Sequence, residues 1–89
     1  MAYSTNRVRL AKVILECGTY HRDGAASYAR CGNVVLVFQN DDVYLVSYKP
    51  VEGWEEYRCP GHTEWGHLFS PVVANYLREK LREVHGVLV

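Results

Sequence analysis

The chain has 89 residues, a length that predicts one domain over residues 1–89 and excludes a second core. Apolar residues make up 48% and charged residues 22%, proportions that exclude wholesale disorder and a fibrous repeat. Ten Lys and Arg residues balance ten Asp and Glu residues, so the chain lacks the cationic excess of most duplex-binding proteins. No apolar run approaches the roughly 18 residues of a membrane span, and we expect no membrane association.

The cysteine content indicates a reducing compartment. Cys17, Cys31 and Cys59 give an odd count, and the apolar stretch at 13–15 is too short for the core of a secretory signal peptide. These features predict a cytoplasmic protein with free thiols, in which each cysteine is a small buried hydrophobic residue.

The clearest predicted element is a helix that follows Ser70. Ser70 is a suitable N-cap, Pro71 fits the first helical position, and Gly86 can adopt the left-handed conformation that ends a helix. Its apolar residues form one stripe at helical spacing: Val73, Tyr76, Leu77, Leu81 and Val84.

Three antiparallel strands are predicted in the middle of the chain. Residues 34–38 form a continuous apolar run, typical of a strand buried on both faces. The turn residues at 40–42 separate this run from a second strand at 43–48, on which Tyr44 and Tyr48 share a face. Residues 54–58 are more polar and predict a third strand at the edge of the sheet.

The first part of the chain predicts a helix from Ser4 or Thr5 to Cys17, although the β-branched residues at 13–15 leave a strand as the alternative. A second, short helix is predicted from Asp23 as far as Gly32. The resulting fold class is α+β: an N-terminal helix, a three-stranded antiparallel meander and a C-terminal helix packed on the sheet in two layers.

This α-β-β-β-α layout resembles that of double-stranded-RNA-binding domains and of small toxin ribonucleases with the same element order. The RNA-binding family carries a Lys-rich cluster at the start of its last helix, whereas residues 71–74 are uncharged here and the first cation is Arg78. The toxin family carries a Gly-Ser/Thr-His element, but no histidine lies between Arg22 and Cys59. The resemblance therefore covers element order only and transfers no functional residue.

Residues 59–67 contain the pattern most suggestive of chemistry. Cys59, His62 and His67, joined by Cys17 and His21, would supply enough ligands for a zinc ion. The alternative is a polar loop with solvated histidines, in a protein without a cofactor.

Catalysis is a further hypothesis for the same loop. Cys59 or Cys31 could act as a nucleophile beside one of three histidines, His21, His62 and His67. A ribonuclease-like acid–base pair could combine His62 or His67 with Glu64 or Arg58. No third, orienting group accompanies either arrangement, so the sequence favours a protein that is not an enzyme.

Charge is segregated along the chain. Residues 1–40 carry a local net charge of +3 and residues 41–67 a local net charge of −4. Opposite local signs favour pairing with a second copy or with a partner of patterned charge. The basic residues Arg7, Arg9 and Lys12 could also make weak, salt-sensitive contacts with nucleic acid.

Aromatic residues indicate a contact surface. Seven of the eleven lie between Phe38 and Phe69, and the polar third strand carries two of them beside acidic side chains. Tyr and Trp are enriched at protein interfaces. The sequence predicts a partner-binding set of Trp54, Glu55, Glu56, Tyr57 and Trp65.

These observations favour a small non-enzymatic binding or regulatory protein that acts through protein–protein contacts, the class that includes accessory and inhibitor proteins of phages and mobile elements. We expect a homodimer that pairs its third strands, with Trp54 as the central anchor. The alternatives are a nucleic-acid-binding domain and a zinc-binding or ribonuclease-like domain built on residues 59–67.

Overall fold

A computed structural model describes the backbone over residues 6–59 and 62–86, with side chains over 6–56 and 64–86. The described chain begins and ends with a helix and has six strands between them. In chain order these are α1 (Asn6–Cys17), β1 (Thr19–Asp23), β2 (Ala26–Cys31), β3 (Val34–Gln39), β4 (Asp42–Ser47), β5 (Glu55–Cys59), β6 (His62–Leu68) and α2 (Pro71–His85).

The six strands form one antiparallel sheet with the order β1-β2-β3-β4-β6-β5. Strands β1 to β4 are a meander of successive hairpins. Strand β6 then pairs with β4, and β5 pairs with β6 on its outer side. Strands β1 and β5 are therefore the two edges, which confirms the predicted edge position of the 54–58 segment.

The predicted α+β class, with a helix at each end of an antiparallel sheet, is confirmed, but the sheet has six strands instead of three. The predicted short helix after Asp23 is wrong. Gly24 has a φ of 61° at the turn between β1 and β2, and residues of β2 alternate between buried and less buried. A strand therefore forms where an Ala-rich segment had indicated a helix.

The polar loop predicted over residues 59–67 is also wrong, since β6 occupies His62–Leu68 at an interior position of the sheet. Backbone pairing on both sides holds this strand despite its polar sequence. The structure has β1 and β2 before β3, and β6 after β5, in addition to the elements of the predicted α-β-β-β-α order. The resemblance to double-stranded-RNA-binding domains and toxin ribonucleases is therefore lost.

Helix α1 buries Val8, Ala11, Ile14 and Leu15, which settles the choice between helix and strand. The predicted caps, Ser4 and Thr5, lie outside the described residues. Gly18 follows the helix at a point where the backbones of α1 and β2 approach each other closely. An added Cβ there would lie 2.4 Å from the carbonyl oxygen of Ile14 and 2.7 Å from that of Arg30, so only glycine fits between α1 and β2.

Helix α2 confirms its predicted ends. The Ser70 hydroxyl accepts a hydrogen bond from the Val73 N–H at 3.4 Å, and Gly86 is left-handed with a φ of 68°. Most of the predicted stripe is buried or half-buried, but Val84 is exposed. His85 turns toward α1 in its place, where its Nε2 donates to the Leu15 carbonyl oxygen at 2.8 Å and its ring stacks on Tyr20.

Both helices pack on the same face of the sheet and contact each other. The sheet residues beneath them are buried: Ala29, Leu36, Phe38, Val43 and Leu45. Val35 and Val37 point to the opposite face and are only half-buried, so the run at 34–38 is buried on one face rather than on both. Over the described residues, neither helix is long and apolar enough to cross a membrane.

Leu77 lies fully buried between α2 and the sheet. We predict that Leu77→Ala lowers the free energy of unfolding by about 2–5 kcal/mol, because it leaves a cavity in the core. Val72→Ala, on the exposed side of the same helix, should change it by less than about 0.5 kcal/mol. Urea unfolding followed by circular dichroism measures both. Equal stability of the two variants would contradict this packing of α2.

Candidate interaction face

The structure does not bring the predicted partner-binding residues onto one surface. Trp54 is only 7% exposed and belongs to the core, and Trp65 is half-buried on the helix-covered side of β6. Glu55 and Glu56 are exposed and, as neighbours in a strand, point to opposite faces. The side chain of Tyr57 lies outside the described residues. Trp54 is therefore a core residue and does not anchor an exposed strip.

The predicted nucleic-acid-binding residues all lie on α1, where their side chains make different contacts. The Arg7 Nη2 donates to the Gly53 carbonyl oxygen at 2.9 Å, which ties this cation to the loop before β5. Lys12 lies over the ring of Tyr76, 5.8 Å from its centroid, and Arg9 is exposed. The three cations thus have different surroundings.

The predicted metal ligands are distributed over the molecule. Cys17 is exposed at the end of α1, His21 stacks on Tyr28 at the β1 edge, and His67 meets the ring of Phe69 edge-on at 5.1 Å. Cys59 and His62 are paired across the β5–β6 hairpin, but their side chains lie outside the description. Among the described side chains, no three His, Cys, Asp or Glu residues are grouped as a metal site requires.

The structure also separates the residues of the proposed catalytic pair of His67 and Glu64. His67 lies opposite Leu45 on the helix-covered face, whereas Glu64 lies on the opposite face of the same strand. These two groups are therefore not an acid–base pair. Cys31, a suggested nucleophile, is a free thiol that is exposed, as is Cys17, so the expectation that they are buried hydrophobic residues is wrong.

The face of the sheet opposite the helices brings together residues that the sequence had not grouped. We call it the open face, and it is formed by alternate residues of the six described strands. Its central members line a shallow concavity of about 350 Å³: Tyr28, Arg30, Val35, Val37, Tyr44, Val46, Tyr48 and Glu64. Leu68, which pairs with Tyr44, extends it and is 53% exposed.

Strand register arranges the open face in rows. One row crosses the sheet as His21, Tyr28, Val37, Tyr44 and Leu68. The next row crosses as Arg30, Val35, Val46, Gly66 and Glu55. Neighbouring rows lie about 7 Å apart along the strands. The centre of this face is therefore apolar and aromatic over at least two rows.

Polar groups hold two of the aromatic rings in place. The Tyr44 hydroxyl donates to Gln39 Oε1 at 3.1 Å, and the Tyr28 ring stacks on His21 with centroids 5.1 Å apart. Arg30 Nε donates to the Gly32 carbonyl oxygen at 3.1 Å. These contacts pre-order the surface, which reduces the entropy lost when a partner binds.

Charge differs between the two sides of the open face. On β1 and β2 this face carries Arg30 and, two residues from His21, Asp23, whereas β6 and β5 carry Glu64 and Glu55. The apolar residues of β3 and β4 separate Arg30 from Glu64 and Glu55. Among the other described cations before β3, Arg7 and Lys12 lie on the helix side and Arg22 lies opposite buried Ser27.

Comparison of the chain with protein-family models, curated protein sequences and solved structures finds no match.

Because Trp54 belongs to the core, its removal should reduce stability. We predict that Trp54→Ala lowers the free energy of unfolding by about 3–5 kcal/mol, and Trp54→Phe by less. Val13→Ala, at an exposed site on α1, is the matched control and should remain near the parent. Denaturant unfolding measures all three, and a Trp54→Ala variant as stable as the parent would place the indole outside the core.

His67 makes folding sensitive to acid. Desolvation and the nearby Arg7 lower the pKa of His67 below 6.5, and Glu55 partly opposes them. The unfolded chain therefore binds the proton more readily, so stability should fall as pH decreases below about 6.5. Unfolding measured between pH 7.5 and about 5 should show a smaller loss in His67→Gln than in the parent. Equal slopes for His67→Gln and the parent would contradict this role.

Proposed function

We propose that the chain is a small non-enzymatic binding or regulatory protein that acts through protein–protein contacts, with the open face as its contact surface. The observation that carries the proposal is the run of apolar and aromatic side chains across a sheet face that neither helix covers. Monomeric proteins rarely leave such contiguous surfaces exposed unless they bind something.

The residue types favour a protein partner. Tyrosines combine a large apolar ring with a hydroxyl and bury contact area with little loss of conformational entropy. Tyr28, Tyr44 and Tyr48 surround the small apolar side chains of Val37 and Val46. This combination of aromatic anchors around a flat apolar centre is suited to another folded surface.

The charges on the same face argue against nucleic acid. A stacking platform for bases also needs cations that neutralise phosphates. Here Glu64, Glu55 and Asp42 lie on or beside the open face, and Arg30 is the main cation among its described residues. Arg7 and Lys12 lie on the helix side of the molecule.

A site-specific crosslinking experiment tests the proposal. A photoreactive amino acid at position 37, on the open face, should give a discrete polypeptide adduct in cells that produce the protein. The same group at position 13, on the outer side of α1, is the matched control and should give none. Adducts from both positions, or from neither, would contradict the open face as the protein-binding surface.

Titration of labelled single-stranded and duplex RNA tests the competing function. We expect no binding tighter than about 10 µM at physiological salt. Sub-micromolar affinity that is lost in Tyr44→Ala would show that the open face binds nucleic acid and would overturn the proposed function.

A further inference from the structure

Resting on the proposed function, we propose that the partner of the open face is a second copy of this chain. The two copies pack face to face, related by a two-fold axis that runs parallel to the strands between β3 and β4. The product is a β-sandwich with helices on both outer sides.

The strand order makes this arrangement self-complementary. In the order β1-β2-β3-β4-β6-β5, the space between β3 and β4 is the middle of the sheet. A two-fold axis there lays β3 over the partner copy's β4, β2 over its β6 and β1 over its β5. Arg30 on β2 of each copy therefore lies over β6 of the other, the strand that carries Glu64.

The same operation matches side chains row by row, because rotation about an axis parallel to the strands preserves the level along them. Val37 lies over Tyr44 of the second copy, Val35 over Val46, and Tyr28 over Leu68. The apolar centre is thus covered by apolar and aromatic groups, as in the aligned sheets of a sandwich.

At the edge of this apolar centre, charged side chains of the two copies pair with each other. Arg30 lies over Gly66 of the second copy, which presents no side chain, and Glu64 is one row away, about 7 Å along the strand. An extended arginine side chain spans that distance. Each dimer contains two such Arg30–Glu64 pairs.

Other two-fold arrangements are less favourable. An axis in the same plane but perpendicular to the strands lays β2 over β2 and β6 over β6, which sets like charges against each other. Pairing of edge strands, as first expected for the 54–58 segment, leaves the open face in water. The face-to-face arrangement with the axis along the strands avoids both problems.

The surface is large enough for a stable pair. Six strands about 4.8 Å apart and three rows about 7 Å apart give about 600 Å² in projection for each copy. The two copies together then bury about 1,200 Å², the lower end of the range for a specific, stable interface.

Sedimentation equilibrium of the purified chain from about 1 to 500 µM provides the first test. We expect a monomer–dimer equilibrium in which Val37→Lys weakens association by about tenfold or more, because it places an ammonium group at the apolar centre. Val13→Lys makes the same change on α1 and should associate like the parent. Circular dichroism of both variants separates a lost interface from a lost fold.

A charge-exchange experiment then tests the geometry. Arg30→Glu and Glu64→Arg should each weaken self-association by about tenfold, because each sets like charges against each other in both pairs. An equimolar mixture of the two variants should form a heterodimer near the parental affinity, since every pair is then again opposite in sign. Only a contact between copies gives this rescue, because an interaction within one chain stays broken in both variants.

A monomer at every concentration, or a dimer that Val37→Lys leaves intact, would overturn the proposed self-association. Failure of the mixture to associate more tightly than its components would overturn the Arg30–Glu64 geometry. If the purified chain is monomeric while position 37 crosslinks to a different polypeptide in cells, self-association fails and the proposed function stands. Absence of any adduct at position 37 removes the proposed function itself.

Discussion

Burial on only one side of the sheet is the constraint on which the rest of this structure depends. Helices α1 and α2 contact each other and cover the same face, so they decide which alternate residues of every strand become core. Leu36, Phe38 and Leu45 are buried for this reason, while their neighbours Val35 and Val37 are left on the opposite side. The open face is thus a direct geometric result of placing both helices together, and its apolar composition exceeds what solvent exposure alone would favour.

The topology also explains how a neutral chain acquires a polarised surface. Arg30 comes from the early strand β2 and Glu64 and Glu55 from the late strands β6 and β5, and the sheet keeps these strands on opposite sides. Arg30 and Glu64 are therefore separated by two apolar strands within one copy. Its described carboxylates outnumber its cations, so this surface does not attract polyanions, and a partner must match the positions of these charges in order to pair well.

Local sequence patterns predicted the elements that are stabilised by residues close together in the sequence. Ser70, Pro71 and Gly86 placed α2, and the turn at 40–42 placed the β3–β4 hairpin. Strand β6 was missed because its polar residues are held by pairing with distant β4, which no local pattern reveals. The candidate site was missed for a related reason. The strand alternation places Tyr44 and Tyr48 on one face, but whether helices cover that face depends on tertiary packing. Composition likewise could not show that Trp54 turns inward.

The position of β6 has a consequence for synthesis on the ribosome. Strand β5 is made before β6 yet pairs only with β6 among the described strands, and β4 also waits for β6 at its outer edge. A chain in which residues 62–68 are not yet paired therefore exposes the outward-facing backbone groups of Val43, Leu45 and Ser47 as an unpaired edge. Such edges recruit other chains. Pairing of residues 62–68 closes the edge, so the interval before β6 docks is the period of greatest aggregation risk.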